Sequence, residues 1–170
     1  MTTDTNPRET LWDLIKDIKF GMLTTRHANG HLHSRPLTTQ NKSIDHDDTL
    51  WFFVSRSGQP AADVGRESQV NIAYAHPGSD SYVSVSGTAA IVENQEKKEE
   101  LWTKMVQAWF PGGINDPDLA LLCVRISHAH YWDVKENKLT QLYEMAKAAI
   151  TGKPPTGLGE EREVRLAASR

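Results

Sequence analysis

Six segments of the chain read as β-strands, and hairpin-type turns, not regularly spaced helices, join most of them. That order constrains the fold more than any other feature, because parallel strands need long crossover connections and antiparallel ones need only tight turns. The segments are 20–26, 31–40, 49–55, 69–75, 81–92 and 119–134. Asn29-Gly30 supplies the positive φ that a tight hairpin requires. Thr49-Leu-Trp-Phe-Phe-Val-Ser55 is an unbroken apolar, β-branched and aromatic run, as expected of a buried strand. Residues 81–92 alternate, with Tyr82, Ser84 and Ser86 on one face and Val83, Val85 and Gly87 on the other. Pro36, inside the second strand, places an edge or a bulge there.

Helical periodicity falls outside these runs. Leu11, Trp12, Leu14, Ile15 and Ile18 recur at helix spacing, with a cap expected at or just before Thr10. Ser57-Gly-Gln-Pro60 opens a short helix to about Glu67. Residues 95–109 read as one charged amphipathic helix stopped by Phe110-Pro-Gly-Gly113, and 139–150 as another stopped by Pro154-Pro155. The sum is a mainly β (α+β) chain, an antiparallel barrel decorated by helices. At 170 residues it makes one domain, over 1–155, with 156–170 expected as a mobile charged tail.

Charge and composition narrow the function. The chain has 19 basic and 22 acidic residues, so it lacks the basic excess of a nonspecific nucleic-acid binder. Its single cysteine, Cys123, excludes an internal disulfide framework and fits a reducing compartment. No apolar run approaches the ~18 residues of a membrane-spanning helix, and the polar start lacks a signal peptide's apolar stretch. A cytoplasmic protein with neither a membrane nor a nucleic-acid partner is expected.

No generic motif names a reaction, and the catalytic residues stay unassigned. His31 and His33 share one strand face, as do His128 and His130, but no acid beside either pair offers a further ligand. Exposed strand histidines describe them better than metal ligands, and no metal is expected. Cys123 lies in an apolar strand, where an inert thiol is expected. Trp109-Phe110, at a helix end before Pro-Gly-Gly, either packs in the core or covers a pocket or partner surface.

Taken in order, eight segments resemble the general stress protein 26 branch of the pyridoxamine 5′-phosphate oxidase-like, FMN-binding split-barrel family. They are Phe20-Gly-Met-Leu-Thr-Thr25, Ser34-Arg-Pro-Leu37, Leu50-Trp-Phe-Phe-Val-Ser55, Val70-Asn-Ile-Ala-Tyr74, Tyr82-Val-Ser-Val-Ser-Gly-Thr-Ala89, Trp109-Phe-Pro-Gly-Gly113, Asp116-Pro-Asp-Leu-Ala-Leu-Leu122 and Tyr131-Trp-Asp133. The resemblance implies a six-stranded antiparallel split β-barrel with flanking helices. It also implies a homodimer with FMN sites at its interface, and a flavin-dependent oxidoreductase of unassigned substrate. The alternative is a non-catalytic flavin binder or a flavin-free barrel.

By the same resemblance, Arg35 approaches the flavin phosphate, and Pro36 and Leu37 run along the ring. Val54 and Ser55 end the third strand beside ring and phosphate, and Trp109 and Phe110 flank the cofactor. The family's phosphate-holding Ser-x-Lys aligns with Gln59, Pro60 and Ala61, and a further basic position aligns with Gln40. The phosphate anchor is therefore partly degenerate, with Arg56 or Arg66 as candidate replacements. The Arg-x-His signature of the oxidase proper is missing from Arg165-Leu-Ala-Ala-Ser-Arg170, which argues against pyridoxamine phosphate oxidation.

Overall fold

The structure, a computed structural model, describes residues 6–44, 48–133, 138–155 and 160–166. Helix α1 (Pro7–Ile18) starts earlier than its apolar pattern suggests, because Pro7 suits the first helical turn and the Asn6 side chain accepts from the Arg8 amide. Its buried face is Leu11 and Ile15. Strands β1 (Phe20–Arg26) and β2 (Leu32–Thr38) form the expected hairpin, with Gly30 at φ 84°. Strand β3 (Thr49–Ser55) and helix α2 (Gln59–Arg66) follow, then strands β4 (Gln69–His76) and β5 (Ser81–Val92).

The expected helix over 95–109 is two, α3 (Gln95–Leu101) and α4 (Lys104–Trp109). Trp102 and Thr103 turn extended between them: Trp102 meets Phe53 edge to face, and the Thr103 hydroxyl caps α4 by accepting from the Val106 amide. A 3-10 turn (Gly113–Asn115) leads to strand β6 (Leu119–Asp133), and helix α5 (Lys138–Thr151) comes next.

The strands form one antiparallel sheet in the order β2-β1-β4-β5-β6-β3, curled so that its two end strands approach. Asn41 stitches the seam. Its amide donates to the Thr49 carbonyl at 2.8 Å and its oxygen accepts from the Trp51 amide at 2.7 Å. Beside it the Gln40 amide donates to the Trp51 carbonyl at 2.9 Å. Strand β5 slips register against β6 at Ser86/Gly87, and a Cβ on Gly87 would lie 2.3 Å from the Arg125 carbonyl oxygen.

The curled sheet encloses the core, which includes Leu23, Phe52, Ile72, Val85, Leu122 and Tyr131. Tyr74 is buried there with its hydroxyl 2.8 Å from that of Thr39, and burial pushes its phenol up.

One element departs from the expected mobile tail. Within 156–170, strand β7 (Glu160–Arg165) pairs antiparallel with β6 from His128 to Asp133. Strand β3 leaves β6 after Arg125, so the rest of that edge is open to a new partner. Val164, opposite Ala129, turns inward and anchors β7.

Candidate functional site

A cleft of about 640 Å³ opens at the end of the barrel where β2, β3, α2 and the segment after α4 meet. Its walls are apolar: Pro36 and Leu37 from β2, Val54 and Phe53 from β3, and Trp109 and Phe110 from the end of α4. Phe20 at the start of β1 closes one side and is 61% exposed, while Trp109 stands 80% exposed at the mouth. Such exposure of large aromatics beside a concavity is unusual for core residues. Of the residues carried over from the family resemblance, Pro36, Leu37, Val54, Ser55, Trp109 and Phe110 come together here.

Arg35 and Gln59 do not line the cleft. Both turn to Asp63, a carboxylate on the inner face of α2 that sequence reasoning missed. Gln59 donates to Asp63 Oδ1 at 2.8 Å and Arg66 donates to the same oxygen at 2.7 Å. The Thr25 hydroxyl donates to Oδ2 at 2.7 Å, His27 Nδ1 lies 2.6 Å from it, and Arg35 Nη2 lies 3.4 Å away. Burial pushes the Asp63 carboxyl up, but hydrogen bonds from Gln59, Thr25, His27 and Arg35 outweigh it and hold the group well below the usual carboxylate range.

The network runs on to the surface through His33, whose Nδ1 is 2.8 Å from His27 Nε2 and 3.2 Å from Arg35 Nη2. A guanidinium only donates, so His33 Nδ1 is the acceptor toward Arg35. His31 lies outside this group, so the strand spacing of His31 and His33 does not make a functional pair. Helical spacing of Gln59, Asp63 and Arg66 on α2 was the available signal for the network.

The cleft's charged groups are acidic. Asp118 accepts from the Ser55 hydroxyl and, at 2.8 Å, from the Ser57 amide; these contacts hold its carboxyl below the usual range. Asp116 accepts from the Gly112 amide at 3.1 Å and from the Asp118 amide at 2.9 Å, which shapes the loop after Pro111. Pro60 lines the cleft and Ala61 does not, so Pro60 is the position from which a cation would reach it. Of the candidate replacement cations, Arg56 pairs with Glu93 and Arg66 with Asp63. Among the described residues, no group of three or more His, Cys, Asp or Glu is placed to hold a metal ion.

The curled six-strand barrel with an aromatic-rimmed cleft defines a class: the chain belongs to the pyridoxamine 5′-phosphate oxidase-like family, whose model matches residues 6–156. Within that class it is similar to the protein bli-3 of Neurospora crassa, at 30% identity over 81% of this chain and 70% of that protein. It is also similar to general stress protein 26 of Bacillus subtilis, at 27% identity over 68% of this chain and 80% of that one. Among solved structures, the general stress FMN/FAD binding protein of Xanthomonas citri is 31% identical, with a TM-score of 0.65 over 76% of this chain and 90% of that one. A protein from Jannaschia sp. CCS1 described as general stress protein 26 superposes with a TM-score of 0.73 at 26% identity, over 93% of this chain and 97% of that one.

Proposed function

We propose that this chain is a flavin-binding protein of the general stress type, and that the cleft between β2, β3 and the end of α4 receives the isoalloxazine ring. The observation that carries the proposal is the set of walls. Leu37, Val54 and Phe110 give the cleft apolar lining, and Thr38, Gln40 and Ser55 add polar groups to it. A tricyclic ring with one polar edge needs that combination. The FMN/FAD binding named for the Xanthomonas citri relative supports the same reading.

The fit is to the ring. For the phosphate of FMN, which the family resemblance implies, the cleft offers no lysine, arginine or histidine among its lining residues. A bound flavin supplies electron transfer, and the oxidoreductase activity implied by the resemblance would draw on it. The chain's own part is to bind the ring, orient it and exclude water from its buried face.

A homodimer belongs to the same reading. The outer face of the sheet carries Met22, Tyr82 and Trp132, all exposed, around the small residues Ala73 and Ser84. Phe20 and Pro36 lie both on this face and in the cleft, so a second copy seated there would wall the flavin on its open side.

Titration of the purified chain with riboflavin, followed by flavin fluorescence, tests the proposal. Saturable quenching with one flavin per chain is expected. Absence of saturation at high micromolar protein would overturn it.

A further inference from the structure

We infer that the cleft recognises flavins by their ring and not by their phosphate, so that it takes riboflavin and FMN with closely similar affinity. The inference rests on the flavin reading above and adds the ligand class. A flavin phosphate carries nearly two negative charges at neutral pH, and sites that select it use cations or ordered amide donors. Two arginines adjoin the cleft in sequence, and both are turned to carboxylates outside its lining. Arg56, next to Ser55, pairs with Glu93 and reaches the Leu119 carbonyl at 3.5 Å.

Arg35, next to Pro36, shares the Asp63 carboxylate with Arg66 and lies 3.4 Å from it. Its second terminal nitrogen, Nη1, has no hydrogen-bond partner, but it is shut off from solvent. Since no water reaches that atom, no phosphate oxygen reaches it without rearrangement of the Asp63 network. Asp63 thus holds the place of an anion among Thr25, His27, Arg35, Gln59 and Arg66. The charges that do face the cleft, Asp116 and Asp118, repel a phosphate.

Equilibrium dialysis of the full chain against riboflavin and against FMN, near neutral pH, decides the matter. At about 0.15 M salt the two dissociation constants should agree within about threefold. At lower salt FMN should become the weaker ligand, because the repulsion from Asp116 and Asp118 is then less screened. FMN binding more than about tenfold tighter than riboflavin overturns the inference while leaving the flavin site intact, since a single charge-assisted contact gives roughly that factor. Failure of both ligands to bind overturns the flavin reading and the inference with it.

The Pro60→Lys variant adds a positive test, because it sets a cation on the cleft wall. FMN affinity should rise about tenfold relative to that of riboflavin in the same variant. An equal change for both ligands would place the phosphate away from α2 and overturn the assignment.

Discussion

Replacing Asp63 should destabilise the fold more than any single change at the cleft. Its side chain has 0% exposure and accepts at 2.6 to 2.8 Å from Thr25, His27, Gln59 and Arg66. The loss falls unevenly on these partners. Arg66 is 46% exposed and can turn to water, and Gln59 is exposed as well. Arg35 is 14% exposed and cannot, so in Asp63→Ala it keeps a charge without a counter-ion. Stranding one member of a buried ionic network costs about 3–5 kcal/mol, whereas an exposed pair is worth ~1 kcal/mol or less.

Asp63→Ala should therefore lower the urea midpoint by about 2 M, given an m value of roughly 2 kcal/mol/M, while Arg66→Ala lowers it by no more than ~0.5 M. The pH dependence follows from the sign of the shift. Asp63 is held below its ordinary value in the folded chain, so its stabilisation is present above the unfolded carboxylate pKa of ~3.9 and is lost as pH falls through the folded value. Stability of the wild type should drop below about pH 4, and Asp63→Asn should show a flatter profile there. Chemical denaturation across that range measures both. A loss under ~1 kcal/mol in Asp63→Ala, or parallel acid profiles for wild type and Asp63→Asn, would refute the reasoning.

Three further outcomes follow from the same geometry. Asn41→Ala removes two of the three hydrogen bonds named at the seam beside β3, and should cost about 2–3 kcal/mol with faster hydrogen exchange at the Trp51 amide; unchanged exchange would show that the seam closes without it. Ser84→Arg sets a charge at the centre of the proposed dimer face and should yield a monomer by light scattering, with a dimer expected for the wild type; a wild-type monomer at micromolar concentration would count against the interface. Trp109→Ala, at an 80% exposed position, should leave the thermal midpoint within a degree or two and weaken riboflavin about tenfold, by loss of aromatic contact.

The barrel was legible in the sequence because its strands are governed by local rules. The apolar run of β3, the alternation of β5 and the Asn-Gly turn before β2 each name their own structure. What could not be read depends on pairing across the fold. Strand β7 owes its existence to an edge of β6 that β3 abandons at Arg125, a fact of register invisible in the charged string Glu160-Glu-Arg-Glu.

The break between α3 and α4 has a local mark in Thr103, but the docking of Trp102 on Phe53 that accompanies it is tertiary. The cleft walls were found because motif and position agree along β2 and β3. Arg35 and Gln59 were expected at a phosphate; the i,i+4 spacing of Gln59 and Asp63 marks one of their contacts, but that Arg35 on β2 also turns to Asp63 shows only in the folded arrangement.

The placement of the flavin ring is the central claim, and a crystal structure of the chain grown with riboflavin tests it most directly. The account predicts ring density in the cleft, packed against Leu37, Val54 and Phe110, with the ribityl chain passing Pro60. Flavin density in the groove between α1 and the β4–β5 turn, lined by Asp13, Asp17 and His76, or a cleft left empty at saturating riboflavin, would contradict it.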